Sequence, residues 1–141
     1  MDTSDLRVGL RAGVVAAVLS GAPSTVHALA SGRSPFDAVQ AAGTLLLPDD
    51  APPHARAAAG VLAHGAISLG WGVVLAAVLP RRRTVVWGAL AGLAIAGLDL
   101  GVLGRRRWPL IRALPLGPQV ADHVAFGALV GAVVSRAGRR R

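Results

Sequence analysis

The chemistry open to this 141-residue chain is narrow. There is no cysteine, which excludes disulfides, thiolate nucleophiles and cysteine metal sites. No nucleophile elbow, phosphate-binding loop, dinucleotide fingerprint or paired-carboxylate site is present. What remains is a small set of ionisable residues inside apolar stretches: His27, His64, Asp99, Asp122 and His123, with Ser20, Ser24, Thr25, Ser68 and Gln119 nearby. Such groups are costly in a hydrocarbon environment and are functional candidates for that reason. A histidine facing an aspartate from another helix could pass or sense protons near neutral pH. The same groups could line a pocket for a small ligand. His27, His64, Asp99 and His123 could alternatively hold a first-row metal ion, or two of the histidines a haem, although no local ligand spacing announces either. No cofactor is expected on motif grounds. The plain alternative is that these side chains only hydrogen-bond neighbouring helices, for about 0.6 kcal/mol each. His27, Asp122 and His123 also lie close enough to segment ends to be interfacial, and His54 falls in a loop.

The segments that position these residues are apolar and separated by arginine-bearing stretches. Hydrophobic residues make up 53% of the chain and charged residues 16%, against roughly 25% charged in an average soluble domain. Mean hydropathy is +0.56. The low charge excludes intrinsic disorder. The apolar blocks predict an all-α, polytopic membrane protein of one domain: a four-transmembrane-helix antiparallel bundle with spans near residues 8–29, 55–79, 84–103 and 118–134. Pro23 should kink or fray the first span. Trp87 and Trp108 fit an aromatic belt, whereas Trp71 lies inside its span and suits packing. Between the first two spans, Ser34-Pro35-Phe36-Asp37 reads as an N-cap, a proline in the first turn and an acid near a helix N-terminus. This predicts a short interfacial helix over residues 35–47, followed by a proline-rich loop. Residues 108–118, with three prolines, form a second candidate interfacial element.

Net charge is +8, with every basic residue an arginine and every acid an aspartate. The arginines flank the apolar blocks instead of forming a stripe interleaved with aromatics. They suit anchoring at anionic lipid headgroups and not nucleic-acid binding. The larger set, Arg7, Arg11, Arg81 to Arg83 and the C-terminal run, falls on the side shared by both termini, which predicts cytoplasmic termini. Ala28-Leu29-Ala30 before Ser31 also resembles a signal-peptidase site, and cleavage there would leave three spans.

Alternating span direction places His27, His64, Asp99, Asp122 and His123 in the same half of the bilayer, extracytoplasmic in this orientation. His64 and Ser68, one turn apart, share a face. Asp122 and His123 point about 100° apart, so only one of them should face the pocket centre. The helices would pack through small-xxx-small pairs: Gly9/Gly13, Gly88/Gly92, Gly97/Gly101 and Gly127/Gly131. The second and third spans should form a helical hairpin across the Arg81 turn. The same glycines could serve a homo-oligomer or grip a larger membrane complex, which leaves a structural subunit as the alternative function.

The stretches His64-Gly65-Ala66-Ile67-Ser68, Gly88-Ala89-Leu90-Ala91-Gly92, Trp108-Pro109 and His123-Val124-Ala125-Phe126-Gly127 resemble the YagU-type family of bacterial inner-membrane proteins. The resemblance covers the last 85 residues or so. It implies a small multi-pass protein of the bacterial inner membrane, without established catalytic residues and with a link to acid tolerance. The all-arginine, Ala/Gly-rich composition is also in the style of a high-GC bacterium.

Overall fold

The computed structural model describes residues 3–104 and 107–138, apart from the side chain of Leu103. Asp2, Arg105, Arg106 and Arg139 to Arg141, which enter the charge reading above, lie outside the described residues. The described residues form helices and turns, without strands. In order these are α1 (Thr3–Leu19), α2 (Ala22–Ala30), α3 (Asp37–Gly43), α4 (Pro53–Val78), α5 (Thr84–Ala96), a π-helical segment π1 (Gly97–Gly104), α6 (Pro109–Ala113) and α7 (Leu116–Gly138). Four helical stretches, Thr3–Ala30, Pro53–Val78, Thr84–Val102 and Leu116–Gly138, are long and apolar enough to cross a membrane. Their outward faces carry large apolar side chains, including Val18 at 76% exposure and Leu62 at 69%.

Local chemistry explains the breaks. A proline ring clashes with the carbonyl four residues back. With Pro23 in place the first stretch is interrupted at Ser20–Gly21 and restarts as α2 with Pro23 in its opening turn. The expected kink is thus a full break. α4 stops at Leu79, whose extended backbone suits a residue that precedes a proline. Arg83 turns the chain into α5 in the left-handed region, at φ 54°. The third stretch is not α-helical throughout, because its last eight residues widen into π1. α7 is longer than expected, starting at Leu116 and ending at Gly138. The short helix after the first stretch covers Asp37–Gly43 only. Ser34 does not cap it directly: its Oγ accepts the Phe36 N–H, and Asp37 pairs with Arg33 at 3.5 Å.

Packing is organised by backbone contact at glycines. A Cβ at Gly9 would lie 2.6 Å from the Val73 Cα, one at Gly13 2.7 Å from the Ser68 carbonyl oxygen, and one at Gly72 2.6 Å from the Gly9 carbonyl oxygen. These contacts join α1 to α4, and residue numbers fall along α4 as they rise along α1. In the second pair, Gly88 and Gly92 meet the carbonyls of Gly127 and His123, and a Cβ at Gly131 would lie 2.5 Å from the Thr84 oxygen. This seals α5 against α7. α1 also packs on α7, so the long helices stand in the order α4, α1, α7, α5. Ala12, Ala16, Leu75, Ile95, Phe126, Val130 and Val134 fill the shared core.

Three expectations are corrected here. α4 and α5 do not form a packed hairpin: they make at most marginal contact among the described residues, because the glycine face of α5 matches α7. Gly97 and Gly101 meet no neighbour and are not a packing pair. α3 covers Asp37–Gly43 and not the expected 35–47. It is seated on α4, where the Val39 carbonyl fills the space a side chain at Gly60 would need.

These contacts give a direct test. Gly88→Val should destabilise the purified protein by about 1–3 kcal/mol, as overpacking does. Gly97→Ala should stay within about 0.5 kcal/mol of wild type, as at an unconstrained surface position. Unfolding in mixed micelles with increasing sodium dodecyl sulfate measures both.

Candidate functional site

Because α4 and α5 stand apart, a cavity of about 530 Å³ opens between them. Ser20, Gly21 and Ser24 form one wall, with Gln119, Asp122, His123 and Phe126 of α7 beside them. His64, Ile67, Ser68 and Trp71 of α4 form the second wall. Ile95 of α5 and Leu98, Asp99, Leu100 and Gly104 of π1 form the third. The short helices make a roof: Ala38 and Ala42 from α3, Ile111 and Leu114 around α6. The two edges facing each other across the gap, Ile67 and Leu98, are 44% and 42% exposed and apolar. The cavity therefore opens sideways, between apolar lips.

Each polar group in the cavity has a local reason for its place. Residue 64 lies two turns from Gly72 on the same face of α4, so the glycine contact carries it against α1. There the His64 Nε2–H donates to the Ala17 carbonyl at 3.0 Å. Asp122 answers the break in the first stretch. The opening turn of a helix leaves N–H groups without partners, and Gly21 offers no side-chain cap. Asp122 Oδ1 accepts the Ser24 N–H at 2.9 Å, capping α2 from α7 with a charge suited to the helix dipole. His123 Nδ1–H donates to the Gln119 carbonyl one turn back, at 2.8 Å. That bond leaves Nε2 as the free nitrogen, and it faces Asp99 Oδ2 at 3.6 Å. At that spacing the contact is too long for a hydrogen bond, and it becomes an ion pair when His123 is protonated. One proton on either partner makes it attractive. Asp99 reaches this position from π1, a widened helix of the kind often found at functional sites.

His64, Ser68, Asp99, Asp122 and His123 thus share one cavity. His27 does not. It is exposed, its Nε2 lies 3.4 Å from Ser31 Oγ on the next turn, and it borders a separate small notch with Arg33 and Asp37. The break at Gly21 and the local bond to Ser31 hold it there. Asp122 and His123 both line the cavity, so the 100° between them does not exclude either, because the cavity wraps around this part of α7. The metal set His27, His64, Asp99 and His123 is not assembled: among the described residues no three histidines or acids come together to hold an ion. His64 and His123, the two histidines of the cavity, are each held by a backbone carbonyl, His64 through Nε2 and His123 through Nδ1. Trp108, expected in an aromatic belt, instead lines the cavity, as do Trp71 and Phe126. Only the glycine spacing 97-101-104 hinted at π1 in the sequence.

Comparison with protein-family models, with curated proteins and with solved structures finds no match to this chain.

Since the chain has no cysteine, single cysteines report the site cleanly. Cysteine at Ser24, in the cavity wall, should react with N-ethylmaleimide at least tenfold faster than cysteine at Ala16, which is fully buried against α4. Equal rates would mean that the cavity is closed.

Proposed function

We propose that this chain is a small, non-enzymatic multi-pass membrane protein that binds a small, largely apolar ligand in the cavity between α4 and π1. Its four long helices would cross the bacterial inner membrane in alternating directions, with both termini cytoplasmic and the cavity in the outer half. The observation that carries the proposal is the lining: an apolar, aromatic space within the 300–1,000 Å³ typical of ligand sites, with a few polar groups converging on it from separate helices. The outward apolar faces support the membrane setting, since such surface is a liability in water. The arginines at the segment ends would meet anionic headgroups. The first segment would remain part of the protein, because α1 and α2 supply the glycine face for α4 and the N–H that Asp122 accepts.

Ligand binding is favoured over proton conduction by what lies beyond the cavity. Past Trp71 and Phe126 the buried side chains of Leu75, Leu79, Val130 and Val134 fill the space between the helices, with no titratable group among them. The cavity is a dead end. A partner-gripping role keeps only one of the four glycine pairs, Gly97/Gly101, because Gly9/Gly13, Gly88/Gly92 and Gly127/Gly131 are used within the chain. The His123–Asp99 contact would make occupancy sensitive to pH, and through it the acid-tolerance link implied by the YagU resemblance would operate.

The neutral fluorophore N-phenyl-1-naphthylamine tests this. In lipid nanodiscs carrying the full chain it should bind saturably, at one per chain above empty discs. Ala42→Trp and Ile67→Trp, which fill the cavity from its roof and its lip, should each weaken binding about tenfold. Binding that neither variant changes would contradict the proposal.

A further inference from the structure

The charge pattern of the cavity narrows its ligand class. Two carboxylates, Asp99 and Asp122, line it. Among the described residues no arginine does. Of the described arginines nearest in sequence to the lining, Arg107 and Arg112 are exposed, and Arg33 is paired with Asp37 outside it. The other titratable groups facing the space are His64 from α4 and His123 from α7, while the linings from α1, α2, α3 and α6 add none. In a chain of net charge +8 whose cations sit at segment ends, this is a local region of opposite sign. Three aromatic rings, Trp71, Trp108 and Phe126, share the same wall space. Rings of this kind attract cations through their faces, more strongly where water is excluded. An anionic head would instead meet two carboxylates, Asp99 beside His123 and Asp122 on the Ser24 N–H, and like charges brought together cost several kcal/mol.

Resting on the ligand-binding proposal above, we infer that the cavity selects lipophilic cations: bulky apolar molecules with a delocalised or shielded positive charge. The apolar lips at Ile67 and Leu98 admit the hydrophobic body sideways, and Asp99 and Asp122 face the charge. Asp122 holds the Ser24 N–H through Oδ1 while its carboxylate lines the cavity. A cation and protons compete for the same carboxylates, and a protonated His64 or His123 would repel the ligand. Affinity therefore rises with pH.

The test uses two probes of one shape and opposite sign, tetraphenylphosphonium and tetraphenylborate, on the full chain in zwitterionic nanodiscs. Saturable binding above empty discs is measured by equilibrium dialysis. Tetraphenylphosphonium should bind at one per chain and at least tenfold more tightly than tetraphenylborate. Asp99→Asn and Asp122→Asn, which keep shape and acceptor oxygens, should each weaken it about tenfold. Between pH 5 and pH 8 the wild-type affinity for the phosphonium should increase, a readout that stands even if a variant fails to fold. Equal binding of both probes, or a flat pH profile, would overturn the cation assignment while N-phenyl-1-naphthylamine binding keeps the cavity itself. Saturable binding of none of the three probes would remove the ligand site and this inference together.

Discussion

Backbone-to-backbone contact at glycines is the constraint on which the rest of this structure depends. Where Gly13 meets the Ser68 carbonyl and Gly92 the His123 carbonyl, no side chain separates the helices, and the register of each pair is fixed to within a residue. Any slip would drive a Cβ into a carbonyl. Hydrocarbon surroundings offer little drive for apolar faces to associate, so close approach of this kind is the interaction that specifies partners in a bilayer. The polar site is a by-product of that register. His64 stands against α1 because Ser68 and Gly72, one and two turns along, are pinned there, and His123 looks toward Asp99 because the next turns of α7 are pinned to α5.

The two halves of the molecule are built differently. Toward the Arg81 turn the helices are regular and their backbones touch. Toward α3 and α6 regular geometry is lost twice, at the Ser20–Gly21 break and in π1. Both irregularities face the cavity. A helix break leaves unpaired N–H groups, and a π turn makes a wider coil that shifts the side chains following it. Asp122 satisfies the first, and the second delivers Asp99. In a membrane-spanning helix irregular backbone is tolerated where it lines a cavity or is buried in protein, and both irregular segments line the cavity here.

Much of this was legible in the residues. The four long apolar stretches, the glycine pairs at 9/13, 88/92 and 127/131, and four of the five ionisable positions follow from spacing and alternation alone. Three features were not. Gly97 and Gly101 have the same spacing as the true contacts, because an i, i+4 pair records a face and says nothing of what meets it. The hairpin expected between α4 and α5 failed because neighbours in sequence pack together only when their faces match, and the α5 glycines match those of α7. His27 was placed by depth, but depth does not give azimuth, and the break before α2 turns that side chain outward.

The central claim is that separate helices bring these side chains to one open cavity, held apart at α4 and π1. Pairwise cysteine cross-linking in native membranes tests it most directly, on a chain that has no cysteine of its own. Paired replacements at Ser24 with Asp122 should form disulfides readily under mild oxidation, whereas the pair at Ile67 and Leu98, on opposite lips of the gap, should not. Rapid cross-linking of 67 to 98 with none between 24 and 122 would contradict the account.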